Sequence, residues 1–155
     1  MTPAITLLQK KGVKHHVLKY EHDTNASSYG LEAVEKLELD ARTVFKTLVV
    51  STDKGMLAVA IVPVNNKLSE KKMAKALGTK KVVMAKSEDV ITSTGYVLGG
   101  VSPLGQKKRL TTVIHDSAEA LSAIYVSAGK RGLELSLSPT TLAMLTQATF
   151  ADITA

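Results

Sequence analysis

The segment Val44-Phe45-Lys46-Thr47-Leu48-Val49-Val50 restricts the fold more than any other part of the chain. Read as a strand, it places Val44, Lys46, Leu48 and Val50 on one face and Phe45, Thr47 and Val49 on the other, so neither face is the solvated side of an amphipathic strand. A single ammonium in such a strand needs a reason. Burying an unpaired charge costs several kcal/mol or shifts its pKa, so Lys46 either reaches a cleft, an anionic partner or a ligand, or joins an intramolecular ion pair, or snorkels its stem over apolar surface near a strand end.

Around this strand the local signals alternate. Thr2 caps a helix opened by Pro3 and closed near Gly12, with Ile5 and Leu8 inward; a short strand follows at His16 to Tyr20. Glu21 to Ser28 reads as a loop, and Leu31, Val34 and Leu37 mark the inner face of a second helix. Strands at Val44 to Ser51 and Met56 to Pro63 are joined by the hairpin signal Thr52-Asp53-Lys54-Gly55. Ser69 caps a third helix, with Leu68 and Met73 as a hydrophobic staple and Gly78 as its stop. Lys81 to Ala85 reads as a strand, Ser87 to Thr94 as a helix ending at Gly95, and Leu110 to His115 as a strand. Ile124 to Ser127 and Leu133 to Leu137 form a hairpin, Ser138-Pro139 opens a last helix, and Phe150 to Ile153 is a closing strand. Helices and hairpins without a strict βαβ rhythm predict an α+β fold, a mixed sheet with helices packed around it. The 155 residues, with no linker and no repeat, suit one domain spanning 1–155.

Lys and Arg outnumber Asp and Glu by 20 to 14, which favours anionic partners such as nucleic acid, while only 4% aromatic residues argues against a broad platform of stacked rings. The absence of cysteine removes disulfides, thiolate nucleophiles and thiolate metal sites. No apolar run approaches the roughly 20 residues of a membrane span, and Met1-Thr2-Pro3-Ala4 does not begin a secretory signal, so the default expectation is a cytoplasmic protein without a membrane partner.

Two glycine-bounded basic segments stand out, Gly99-Gly100-Val101-Ser102-Pro103-Leu104-Gly105-Gln106-Lys107-Lys108-Arg109 and Gly129-Lys130-Arg131-Gly132. Glycines let a ligand approach the backbone and leave N–H groups free for an oxyanion, with Lys and Arg as phosphate contacts. The first segment reads as a binding loop; the second, taken alone, reads as a solvated hairpin tip. Ser102 lacks the hydrolase-elbow spacing, Walker and dinucleotide fingerprints are absent, and His15, His16, His22 and His115 have no metal-ligand spacing, so neither a serine triad nor a metal or other cofactor is expected.

Val44-Phe45-Lys46-Thr47-Leu48-Val49, Ser93-Thr94-Gly95-Tyr96, Gly99 to Leu110 and Ser127-Ala128-Gly129-Lys130-Arg131-Gly132-Leu133-Glu134 together resemble the YbaK family of aminoacyl-tRNA deacylases. The order and spacing of these motifs run the length of the chain, as in the family's free-standing members rather than the editing insertion of prolyl-tRNA synthetase. The resemblance implies hydrolysis of the ester between a mischarged amino acid and the 3′ end of tRNA, chiefly cysteine on tRNA(Pro), with prolyl-tRNA synthetase as a partner.

It also implies roles for particular residues. Lys46 is the principal functional residue, and Thr47 belongs to its motif; Gly99, Gly100, Val101, Ser102 and Pro103 line the aminoacyl pocket; Tyr20 stands at its rim. Glu134 takes the position of an aspartate in relatives. Lys107, Lys108, Arg109, Lys130 and Arg131 are expected to hold the tRNA body. An aminoacyl ester is already activated, so positioning and charge stabilisation can supply much of the rate. In this scheme Lys46 anchors the terminal phosphate or polarises the carbonyl, N–H groups from Gly100 to Ser102 receive the oxyanion, and the attacking group is either the substrate's own thiol or water held by the 2′-hydroxyl. Two rivals stay open, a deacylase for another small amino acid such as alanine and a non-catalytic tRNA- or nucleotide-binding module.

Overall fold

The cap-then-proline start forms as expected. Thr2 Oγ1 accepts a hydrogen bond from the Ile5 N–H at 3.3 Å, and α1 (Pro3–Lys11) runs to Gly12. The computed structural model describes residues 1–26 and 28–155; Ser27, inside the expected loop Glu21 to Ser28, lies outside the described residues. After α1 come β1 (His16–Lys19), α2 (Tyr29–Lys36), β2 (Phe45–Thr52), β3 (Leu57–Pro63), α3 (Glu70–Leu77), β4 (Val82–Met84) and α4 (Ser87–Thr94). The chain continues through β5 (Thr111–His115), β6 (Ile124–Lys130), β7 (Leu133–Leu137), α5 (Pro139–Thr146) and β8 (Thr149–Ala151).

The α+β class holds, and the strands divide into two sheets. One is antiparallel with order β1-β7-β6; the other has order β4-β2-β3-β5-β8, antiparallel through β4, β2 and β3 and parallel from β3 to β5 and β8. The β2–β3 hairpin is apolar on both faces because it is covered on both. Phe45, Val59 and Ile61 join Ile5 and Leu8 of α1 and Ile124, Val126 and Leu135 of the smaller sheet in one core. Val50, Ala58, Ala60 and Val62 meet Met73 and Ala74 of α3 in a second. Each fully buried Leu or Ile in these clusters contributes about 1.5–3 kcal/mol.

Helix α2 departs from its expected inner face. Leu31 is 46% exposed, while Glu32 and Ala33 are buried. The carboxylate is tolerated because it is fully engaged: His22 Nδ1 lies 2.7 Å from Oε1, the Asp23 N–H donates to Oε2 at 2.7 Å, and Lys36 Nζ stands 3.6 Å from Oε2. Burial alone raises the Glu32 pKa, but His22, the Asp23 N–H and Lys36 outweigh it and hold it below the usual carboxylate value.

Candidate functional site

Beside the shared core, an isolated parallel bridge joins Val44 to Tyr125 between the two sheets, and a cavity of about 290 Å³ lies along this seam. From the larger sheet it takes Phe45, Lys46, Thr47 and Leu48, and from the smaller one Ser127, Lys130 and Glu134, with Arg131 in the turn between β6 and β7 and Tyr20 just past β1. The start of α2 adds Ser28, Tyr29 and Gly30, and the loop after α4 adds Leu98, Gly99 and Val101.

Lys46 is half-buried in this wall, and no carboxylate among the described residues stands within ion-pair distance of it. Of the readings open from sequence, the ion pair therefore falls away; Lys46, second residue of β2, lines the cleft with its side chain half-buried. Burial, and then the charge of Lys67, pull its pKa below the ordinary lysine value. Its neighbour Thr47 carries a buried hydroxyl with no hydrogen-bond partner, and Glu134 Oε2 is likewise buried and unpartnered. Both residues line the cavity, their orphaned atoms lying just beneath its surface; Thr79 Oγ1, away from the cavity, is a third such atom. Burial pushes the Glu134 carboxyl up to about 8, leaving it largely neutral at pH 7. Tyr20 is raised as well, by burial first and then by the proximity of Glu134, and its hydroxyl lies 3.5 Å from the Tyr29 carbonyl.

The two glycine-bounded segments, distant in sequence, pack against each other. A Cβ at Gly99, whose φ is +86°, would stand 2.8 Å from Arg131 Nε and against the Tyr29 ring; one at Gly100 would stand 3.3 Å from Lys130 Cα. At Gly99 only glycine allows this approach, and at Gly100 a Cβ would be a tight fit. A register shift between Ser127 and Lys130 bulges β6, and both Lys130 and Arg131 line the cavity. Gly129-Lys130-Arg131-Gly132 is thus the exposed tip of the β6–β7 hairpin and, through Lys130 and Arg131, also part of the wall that holds Lys46.

Several expected loop contacts are not made. The Gly100 N–H donates to the Val97 carbonyl at 3.0 Å, so it is occupied. Ser102 is fully buried outside the cavity, its Oγ accepting from the Leu104 N–H at 3.3 Å, while Tyr96 donates to the Leu104 carbonyl at 2.6 Å. Both groups shape the turn instead of facing the pocket. Pro103 lines a separate cleft of about 320 Å³ together with Lys107 and Arg109, and Lys108 is exposed. The loop's share of the cavity is therefore Leu98, Gly99 and Val101, and the N–H groups of Gly99 and Val101 meet no protein acceptor among the described residues. Ser28, Tyr29 and Gly30 were missed from sequence; the signal was Ser28 as a helix cap, its Oγ accepting from the Leu31 N–H at 3.4 Å.

The resulting wall joins three cations without an ion pair among the described residues, Lys46, Lys130 and Arg131, to Thr47, Glu134 and the backbone of Gly99 and Val101, around a space fit for a small polar group next to an anion or carbonyl oxygen. Among the described residues no three His, Asp or Glu side chains are grouped to hold a metal ion, and no helix is long and apolar enough to cross a membrane.

Comparison with known proteins places this geometry in context. A family model described as the aminoacyl-tRNA editing domain matches residues 24–145. A protein of Enterococcus faecalis named "Putative Cys-tRNA(Pro)/Cys-tRNA(Cys) deacylase EbsC" is 40% identical over 154 residues, covering 99% of this chain and 93% of that one. A proline–tRNA ligase of Shouchella clausii is 35% identical over 101 residues, 65% of this chain and 18% of the ligase. A solved structure described as "a putative trans-editing enzyme for prolyl tRNA synthetase" shares the fold, with a TM-score of 0.86 at 23% identity, covering 100% of this chain and 98% of that one.

Proposed function

The chain belongs to the aminoacyl-tRNA editing domain family, and we propose that it is a free-standing deacylase that hydrolyses mischarged tRNA, chiefly Cys-tRNA(Pro). The observation that carries this reading is the gathering in one cavity of Lys46, free of ion pairs among the described residues, with Tyr20, Thr47, Gly99, Arg131 and Glu134. The match to the deacylase of Enterococcus faecalis over nearly its whole length supports the substrate.

In this reading Lys46 attracts the terminal phosphate or the ester carbonyl, where charge develops during attack. The Gly99 and Val101 N–H groups take the oxyanion role expected of Gly100 and Ser102. Thr47, Glu134 and Tyr20 hold the aminoacyl group. Among the described residues no histidine lines the cavity, and the Glu134 carboxyl is largely protonated near neutrality, so the reading gives the attacking role to the substrate's own groups. The substrate supplies the nucleophile. For cysteine, the thiolate attacks its own ester carbonyl, the carbon–oxygen bond to the ribose breaks, the 3′-oxygen takes up a proton, and the cyclic thioester released is hydrolysed by water. Lys107, Lys108, Arg109 and Lys130 supply weak contacts to the tRNA body, with prolyl-tRNA synthetase supplying tRNA(Pro) in the cytoplasm.

One methylene gives only about 10 to 200-fold discrimination by size, whereas thiol chemistry separates cysteine from alanine and proline outright. Ester loss from Cys-, Ala- and Pro-tRNA(Pro), measured against the spontaneous rate, tests this. Rapid loss of cysteine alone is expected; preferential loss of alanine reassigns the substrate, and no loss from any of the three leaves a binding module.

A further inference from the structure

Resting on the deacylase reading, we propose that Arg131, held over Tyr29, is a stacking platform for the terminal adenine of the aminoacylated strand. The guanidinium carbon lies 4.1 Å from the centre of the Tyr29 ring. Arg131 Nη2 donates to the Leu98 carbonyl at 2.8 Å, which fixes the side chain from a second direction. An exposed arginine is ordinarily mobile and often paired with a carboxylate. Arg131 is exposed, yet it is anchored at both ring and carbonyl, and no carboxylate among the described residues pairs with it.

The local backbone is built to allow this. Gly99 leaves room that a Cβ would take from both Tyr29 and Arg131 Nε. Behind the ring, His22 packs on Tyr29 at 5.4 Å between centroids and is itself held by Glu32. The guanidinium thus sits over the tyrosine ring, and Arg131 stays exposed at the wall of the cavity that holds Lys46. An exposed planar cation held over a ring matches a nucleobase, which stacks on arginine planes as it does on aromatic rings. The ester to be cleaved sits on the ribose of the terminal adenosine, so covalent geometry brings that base to the mouth of the same cavity. The chain's shortage of aromatic residues does not prevent base stacking when an arginine provides the outer surface.

The test compares Cys-tRNA(Pro) with a matched substrate whose terminal nucleotide lacks its base, for the wild type and for Arg131→Lys, which keeps the charge and loses the plane. The wild type is expected to show about 10- to 100-fold lower kcat/KM on the abasic substrate, the range of one base stack, and Arg131→Lys to erase most of that difference. Equal wild-type rates on the two substrates would overturn the platform, as would an Arg131→Lys loss of the same size on both, the mark of a mere tether between loop and helix. If the wild type cleaves neither substrate, the deacylase reading fails. The platform is then judged by tyrosine chemical shifts during titration with adenosine monophosphate and with ribose 5-phosphate: at least about tenfold tighter binding of the nucleotide sustains it, and equal binding overturns it.

Discussion

Replacing Glu134 by Gln keeps its volume and its buried polar atoms but removes the proton on which its stability depends. The carboxyl titrates at about 8 in the fold against an ordinary 4.5. Between those values the folded state holds a proton that the unfolded state has released, so stability falls as pH rises through this window. Each pH unit above 4.5 costs about 1.4 kcal/mol, which makes the loss about 3 kcal/mol at pH 7 and about 5 kcal/mol above pH 8. Glu134→Gln has no such loss. It is expected to be more stable than the wild type by about 3 kcal/mol at pH 7, with the gain shrinking below about 1 kcal/mol near pH 4.5 and levelling off above pH 8. Urea unfolding at pH 5, 7 and 9 reads this directly; with a slope of about 2 kcal/mol/M the midpoint at pH 7 moves up by about 1.5 M. A difference between the two proteins that stays flat from pH 5 to 9 would refute the reasoning, because it would mean that Glu134 is equally ionised in the folded and unfolded chains.

Other perturbations have defined outcomes. Gly99→Ala forces a side chain into φ +86° and against Arg131 and Tyr29; a stability loss of about 1–3 kcal/mol is expected in urea unfolding, with a fall in kcat/KM on charged tRNA. Tyr96→Phe leaves the Leu104 carbonyl without its 2.6 Å donor and is expected to cost about 1–2 kcal/mol by the same assay. Because the Glu32 pKa is lowered, its stabilisation is fully present above the ordinary value of 4.5 and is lost as pH falls through its folded value. Glu32→Gln should therefore lower the thermal midpoint at pH 7 and flatten its decline on the acid side, measured from pH 3 to 7.

Elements written in local sequence were legible. Helix α4 spans Ser87–Thr94 as expected, and Ser69 caps α3 with its Oγ accepting from the Lys72 N–H. Lys46 was legible for a different reason, since a charge in a strand apolar on both faces conflicts with its surroundings. What stayed hidden depends on contacts distant in sequence. The division into two sheets turns on pairings such as His16 with Ser136 and on the bridge between Val44 and Tyr125. Glycine spacing marked Gly99 to Arg109 as one loop, but only folding turns Gly99 and Val101 to the cavity, Ser102 into a turn and Lys107 to another cleft. Periodicity assigned Leu31 to the core because it weighs hydrophobicity alone, and it could not see that His22, the Asp23 N–H and Lys36 make burial of Glu32 affordable.

Single-turnover cleavage of Cys-tRNA(Pro) by the wild type, Lys46→Ala and Lys46→Arg tests most directly whether Lys46 acts electrostatically at the ester. Removal of one preorganised charge partner is expected to slow the step by about 100- to 1000-fold in Lys46→Ala, with Lys46→Arg between it and the wild type. Cleavage by Lys46→Ala within a few-fold of the wild type would contradict the account.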